Sequence, residues 1–165
     1  MYKNYLKTLN KNGKTGVFIS IDIPANSPII EFTGDFFTKL ELKHDMLEVL
    51  QVGENYYMGP SGDLDDYIAH SCNPNCYIKV LGNRAILYSL YVIKAGSEIT
   101  FDYSTSSTDD PKTGWSMKCN CGDPNCRKII SGFSSLTPEL QQEYKDKKIA
   151  ASFLVEPVLI RKTSF

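Results

Sequence analysis

Five cysteines are distributed unevenly along this chain of 165 residues. Three crowd into Cys119-Asn120-Cys121-Gly122-Asp123-Pro124-Asn125-Cys126, and two flank a short turn in His70-Ser71-Cys72-Asn73-Pro74-Asn75-Cys76. Thiols at C-x-C-x4-C spacing, with Gly, Asp, Pro and Asn between the last two, bring three sulfurs around one point. A zinc ion there requires a fourth ligand. A cysteine of the His-Ser-Cys turn supplies it, which ties a C-terminal knuckle to a distant loop. Spacing alone leaves Cys72 and Cys76 both open for that place.

A disulfide framework suits the same cysteines poorly. Met1-Tyr2-Lys3-Asn4-Tyr5-Leu6-Lys7 lacks the apolar run of a secretory signal, so the expectation is a reducing, intracellular compartment. An odd count also leaves one thiol over. Clustered cysteines with short Gly/Pro loops point, in that setting, to metal.

The length fits one domain with its own core. A formal net charge of -1 gives no global basic field for nucleic acid, and no apolar run is long enough to cross a bilayer. Ten Tyr and eight Phe serve sheet packing or a ligand channel, packing being the simpler use.

β signals dominate. Val17-Phe18-Ile19-Ser20-Ile21 and Ile29-Ile30-Glu31-Phe32 are separated by Pro24-Ala25-Asn26-Ser27-Pro28, a turn by composition. The same shape returns as Tyr88-Ser89-Leu90-Tyr91-Val92-Ile93, Lys94-Ala95-Gly96-Ser97 and Glu98-Ile99-Thr100-Phe101-Asp102-Tyr103. Ile23, Ala25, Ser27 and Ile29 match Ile93, Ala95, Ser97 and Ile99 at an offset of 70 residues, a degenerate strand-turn-strand repeat. A hairpin is expected at 77–80 and 85–88, turned by Leu81-Gly82-Asn83-Arg84. A short helix is expected over 39–50, with Leu42, Met46, Leu47 and Leu50 on one side. Thr137-Pro138 reads as an N-cap and first helical proline, opening a helix from 139 to about 154 that Pro157 closes. The Ser, Thr, Asp, Pro and Gly of 104–114 predict a flexible loop.

Together these residues resemble the SET domain of protein lysine methyltransferases. His70-Ser71-Cys72-Asn73-Pro74-Asn75 resembles the family's N-H-S-C-x-P-N, Gly96 through Tyr103 resembles G-E-E-L-T-F-D-Y, and the segment from Cys119 to Arg127 resembles the post-SET C-x-C-G-x-x-x-C-R. Gly13-Lys14-Thr15-Gly16-Val17-Phe18 stands where G-x-G-V-F opens the fold. The likeness runs over 14–132. It implies a mostly β protein with minor α, the SET-domain fold of small curved β-sheets around a pseudoknot, with a C-terminal zinc-binding post-SET segment and a C-terminal helix. The divisions expected are 1–114 for the SET domain, 115–132 for the post-SET segment and 133–165 for a helical tail.

The resemblance further implies S-adenosylmethionine on one face, touched by Lys14, Thr15, Gly16, Ala69, His70 and Tyr103, and a substrate lysine entering a channel that includes Phe101. It selects Cys72 to join Cys119, Cys121 and Cys126 on zinc, leaving Cys76 a small buried hydrophobe. Tyr103 is the implied catalytic residue, its hydroxyl aimed at the transfer site. His70 is implied to bind cofactor, not to act as an acid or base. The implied partner is a protein or peptide carrying a lysine, such as a histone tail, with no direct nucleic-acid or membrane contact. The implied location is nuclear in a eukaryote and cytoplasmic otherwise. Asp63, Asp65, Asp66, Asp109 and Asp110 form either an ordinary solvated surface or a rim that draws in basic peptides.

The chain departs from the family pattern twice. Lys14 replaces a glycine, and Ala69 replaces the asparagine before His-Ser, whose amide contacts the amino-acid end of the cofactor. The competing expectation is therefore a SET-like zinc module that binds a peptide or protein partner with weak or no turnover.

Overall fold

The computed structural model describes residues 1–11, 13–42, 49–109 and 115–155. Strands β1 (Leu6–Lys11) and β2 (Lys14–Ile19) form a hairpin, paired from Leu6 with Ile19 to Lys11 with Lys14. The turn uses Gly13 at φ 79°, a left-handed conformation in which a Cβ would be strained. β1 was not expected from the sequence, because its polar alternation Lys7, Thr8, Asn10 is largely exposed and gives no apolar signal.

Strands β3 (Pro28–Phe32), β4 (Phe36–Thr38), β5 (Leu50–Gln51) and β6 (Tyr56–Met58) follow, the last three forming a small antiparallel sheet in the order β4-β6-β5. The helix expected over 39–50 falls mainly on 43–48, outside the described residues. Its described ends are a turn at 39–41 and strand β5.

Strands β7 (Ala69–His70), β8 (Cys76–Leu81), β9 (Arg84–Ser89) and β10 (Thr100–Phe101) join β3 in a sheet ordered β3-β9-β8-β10-β7. The expected hairpin is β8 with β9, in register from Cys76 with Ser89 to Leu81 with Arg84. β10 lies between β7 and β8 and parallel to both. The segment 71–75 therefore has to cross over β10, and this crossing is the pseudoknot. Asn75 clamps it: its Nδ2 donates to the Glu98 carbonyl at 2.8 Å, and its Oδ1 accepts from the Thr100 N–H at 2.8 Å.

The 70-residue repeat is larger in space than in sequence, since hairpin β8–β9 stands at that same offset from hairpin β1–β2. The two copies also bind each other about a local two-fold axis. Ile23 and Ile93 exchange backbone hydrogen bonds at 2.8 and 2.9 Å. Ile19 N–H to Ser97 O (3.0 Å) is mirrored by Ser89 N–H to Ser27 O (3.0 Å), and Gly96 N–H to Ile19 O (2.7 Å) by Asn26 N–H to Ser89 O (2.9 Å). Asn26 and Gly96, equivalent in the repeat, both have positive φ, 55° and 84°. Ile23, Ile29, Ile93 and Ile99 are consequently buried in one core with Val17, Ile19, Ile30, Ile78 and Leu87.

Two expectations for the C-terminal half are corrected. Residues 103–106 are not loose: they form a 3-10 turn in which Ser104, Thr105 and Ser106 are buried, and Gln51 Oε1 accepts from the Thr108 N–H at 2.8 Å. Residues 110–114 lie outside the described residues. After the small ladder of β11 (Met117–Lys118) and β12 (Ile129–Ile130), the tail holds helix α1 (Pro138–Asp146), capped by Thr137 as expected, and a separate short helix α2 (Ser152–Val155). The single helix to 154 breaks because Lys148 adopts φ 54°, which turns Ile149 and Ala150 into a second core with Tyr77, Phe133, Leu136 and Tyr144. The Ala151 N–H then donates to Thr105 O at 2.8 Å. Pro157 lies outside the described residues.

Candidate active site and metal centre

The ligand atoms of Cys72, Cys119, Cys121 and Cys126 all lie within 4.8 Å of one another. Cys72 and Cys119 sulfurs are 3.7 Å apart, close to the edge of about 3.8 Å that a tetrahedron with metal–sulfur bonds of about 2.3 Å requires. The Gly122 turn at φ 80° and the Cys126 N–H to Asp123 O bond at 3.0 Å shape the knuckle loop. Burial pushes the Cys119 thiol up to about 12, whereas at Cys121 hydrogen bonds outweigh burial and bring it down to about 7. A closed, soft four-sulfur set is the chemistry of a structural zinc site.

Cys76 is outside this set. It is buried in the main core, its thiol is pushed up to about 12 by burial, and its S–H donates to Asn75 Oδ1 at 3.3 Å.

His70 touches the sulfur cluster on one side and Tyr103 on the other. Its Nδ1 accepts the Tyr103 backbone N–H at 3.2 Å, so in the neutral ring the proton sits on Nε2, which faces Cys72 Sγ at 3.3 Å. Burial holds its pKa down at about 4 against the opposing pull of Asp102.

Tyr103 follows β10 at the start of the 103–106 turn. Its ring packs edge-on to His70 at 5.3 Å and against Phe101 at 4.8 Å, and its hydroxyl donates to the Ile68 carbonyl at 2.8 Å. Burial pushes this phenol up to about 12, which keeps it protonated at neutral pH. Phe101 is buried beside Phe32, edge to face at 6.0 Å.

Ala69 pairs with Thr100 and His70 with Phe101. Gly16 reaches this region through Glu98: a Cβ on Gly16 would meet the Glu98 carboxylate, and Glu98 lies two residues before Thr100. The close approach that glycine permits here is to that side chain. Lys14 and Thr15 are exposed on the same strand. Structure thus gathers His70, Phe101, Tyr103 and the four cysteines around the pseudoknot, with Ala69 on its edge and the Lys14–Gly16 end of β2 joined through Glu98.

The acidic run is largely engaged within the fold. Asp63 binds Lys3, Asp65 accepts from the Thr33 N–H and Ser61, Asp66 from the Ser61 and Gly62 N–H groups, and Asp109 from Ser134 and Ser135. Asp110 lies outside the described residues.

Asp102 is the residue that sequence reasoning missed. Its side chain is fully buried. Arg127 grips it at 2.6 and 2.7 Å, the Ser104 N–H donates at 3.0 Å, and the Tyr144 hydroxyl donates at 3.0 Å. A signal existed: an aspartate between Phe101 and Tyr103 in an apolar strand demands partners when buried, and Arg127 directly follows the last knuckle cysteine.

A family model for the SET domain matches residues 14–104. Among curated proteins, the chain is 30% identical over 132 residues to the histone-lysine N-methyltransferase SETD1 of Drosophila melanogaster, an alignment covering 70% of this chain and 8% of that protein. It is 31% identical over 133 residues to an H3 lysine-36 specific histone-lysine N-methyltransferase of Candida albicans, covering 71% and 15%. The chain therefore spans a small part of these relatives. Among solved structures it is similar to KRYPTONITE in complex with mCHG DNA and SAH, with a TM-score of 0.64, 23% identity, and 76% of this chain and 29% of that chain covered.

Proposed function

Because the chain belongs to the SET-domain family, we propose that it transfers a methyl group from S-adenosylmethionine to the ε-amine of a protein lysine. The observation that carries this reading is Tyr103, a buried phenol at the pseudoknot whose proton is engaged by the Ile68 carbonyl. With its proton occupied, the oxygen keeps lone pairs to orient an incoming amine. Bound S-adenosylmethionine would supply a methyl group on a positively charged sulfur to an amine that presents a free lone pair. A free lysine, with a pKa of about 10.4, lacks that lone pair at neutral pH. Phe101, Phe32 and the Tyr103 ring form an apolar wall that favours the neutral amine by desolvating its charged form.

The cofactor would lie against Lys14, Thr15, Gly16, Ala69, His70 and Tyr103, of which His70 contributes as a neutral ring with both nitrogens engaged. Zinc would be held by Cys72, Cys119, Cys121 and Cys126 in a structural role, closing the knuckle over the site. The substrate would be a lysine-bearing peptide such as a histone tail, in keeping with a complex of the similar KRYPTONITE with an H3(1-15) peptide. A nuclear location would follow in a eukaryote. Net charge of -1 favours no direct nucleic-acid contact by this chain. The DNA in the KRYPTONITE complexes belongs to a protein of which this chain covers 29%.

Calorimetric titration with S-adenosylmethionine, followed by mass spectrometry of lysine peptides incubated with the metal-loaded protein, tests the function. Binding together with a gain of one or more methyl groups is expected. Absent cofactor binding would overturn this reading in favour of a zinc-bearing partner module.

A further inference from the structure

The tail beyond the knuckle reaches the heart of the site through one hydroxyl. Tyr144, on α1, is 4% exposed, and its ring sits in the second core with Tyr77, Phe133, Leu136 and Ile149. Its hydroxyl leaves that apolar cluster to donate to Asp102 Oδ2 at 3.0 Å. Burial, and then the Asp102 charge, hold the Tyr144 phenol far above its usual range, so it serves as a donor at any pH the fold tolerates.

Asp102 needs that donor. A carboxylate offers about four lone-pair sites, and here each is filled: Oδ1 by Arg127 Nη2 and the Ser104 N–H, Oδ2 by Arg127 Nη1 and Tyr144 Oη. Through the Ser104 bond Asp102 caps the 103–106 turn, and the Thr105 hydroxyl donates back to its carbonyl at 2.6 Å. His70 Nδ1, which accepts the Tyr103 N–H, lies 3.6 Å from Oδ1. The direction in which Tyr103 leaves the strand is thus set by a carboxylate whose last lone pair is filled from a helix 42 residues away.

We propose that Tyr144 is a positioning residue for methyl transfer, acting through Asp102 on the backbone of Tyr103, so that docking of α1 and closure of the knuckle through Arg127 are sensed by the same side chain. This rests on the methyltransferase reading. Tyr144→Phe keeps the ring in its apolar cluster but leaves an uncompensated buried lone pair on Asp102 Oδ2, which lets Asp102 shift toward Arg127. The 103–106 turn then loses its fixed start.

The test compares metal-loaded wild type, Tyr144→Phe and Ile149→Val, the last loosening the same apolar cluster without touching Asp102. Backbone hydrogen exchange is followed by peptide mass spectrometry. In Tyr144→Phe, exchange of the 103–106 amides should quicken about tenfold, while in Ile149→Val it stays within twofold of wild type. Turnover of Tyr144→Phe on a lysine peptide should fall about three- to tenfold in kcat, with the cofactor KM changed less than twofold, and Ile149→Val should retain wild-type kcat. Unchanged exchange at 103–106 in Tyr144→Phe, or the same acceleration in Ile149→Val, overturns the proposal. Exchange decides it even if the wild type shows no turnover, an outcome that would count against the methyltransferase reading alone.

Discussion

Arg127 and Asp102 face each other fork to fork, with Nη1 to Oδ2 at 2.6 Å and Nη2 to Oδ1 at 2.7 Å. The residue after the last knuckle cysteine is thereby fixed to the residue before Tyr103, so the four-cysteine cluster and the candidate active site share one rigid joint. Arg127 also donates its backbone N–H to Cys72 Sγ at 3.5 Å. A bidentate pair on a fully buried carboxylate is strong, and costly to break from one side.

The first prediction follows from that joint. Arg127→Met leaves Asp102 buried with half its partners, and removing one member of such a pair typically costs about 3 to 5 kcal/mol. Urea unfolding of the metal-loaded protein measures it. A loss within about 0.5 kcal/mol would mean that the pair is structurally neutral.

Metal should follow the four gathered thiols. Cys126→Ser is expected to release zinc and loosen the segment around β11 and β12, because ligand binding and folding are linked. Cys76→Ala, at the cysteine outside the cluster, should keep a full equivalent. Elemental analysis of both purified variants decides: zinc retained in the first or lost from the second would break the assignment.

Tyr103→Phe removes the hydroxyl that donates to Ile68 while keeping the ring against His70 and Phe101. An interaction used mainly in the transition state shows in kcat, so turnover should drop about a hundredfold or more with cofactor affinity within about threefold. Near wild-type rates would remove Tyr103 from the catalytic role.

Phe101 stands beside both Phe32 and Tyr103. The family resemblance implies that a phenylalanine here leaves room that a tyrosine, through its hydroxyl and a water, would fill. Wild type is therefore expected to make di- or trimethyllysine, and Phe101→Tyr to shift products toward monomethyllysine. Intact-mass analysis of a peptide showing only monomethyl product from the wild type contradicts this.

The cofactor contact proposed at Ala69 gives a prediction of affinity. Ala69 pairs with Thr100 on the outer edge of the knot, where an alanine has no amide to offer. A hydrogen bond to a charged group contributes about 1.5 to 3 kcal/mol, or roughly ten- to a hundredfold in affinity. Ala69→Asn should tighten S-adenosylmethionine binding by about that factor. Calorimetry on both proteins checks it, and an unchanged or weaker affinity would show a pocket shaped differently from the family's.

The knuckle, the His-Ser-Cys turn and the Phe-Asp-Tyr motif could be read directly, because each is a short local pattern whose chemistry depends on spacing, although the strand expected through Tyr103 stops at Phe101 and a 3-10 turn begins at Tyr103. So could the Thr137 cap and the β8–β9 hairpin, which rest on neighbours in the chain. The end of the helix expected over 139–154 was misplaced, because cap and proline signals mark only its termini, while the residues form a helix, a left-handed break at Lys148 and a second short helix. Tertiary packing of Ile149 and Ala150 against Tyr77 and Phe133 outweighs local propensity there.

Chain order carries the chemical inventory: which cysteines cluster along the chain, which tyrosine closes the Phe-Asp-Tyr motif, and that two segments repeat at an offset of 70 residues. Spacing left Cys72 and Cys76 both open and the family resemblance chose Cys72; the tertiary structure supplies the reason, since the pseudoknot turns one sulfur toward the knuckle and the other into the core. It alone made Asp102 the common anchor of Arg127 and Tyr144. A buried carboxylate needs hydrogen-bond donors, and those that serve Asp102 come from wherever the fold, not the chain order, brings them within 3.0 Å.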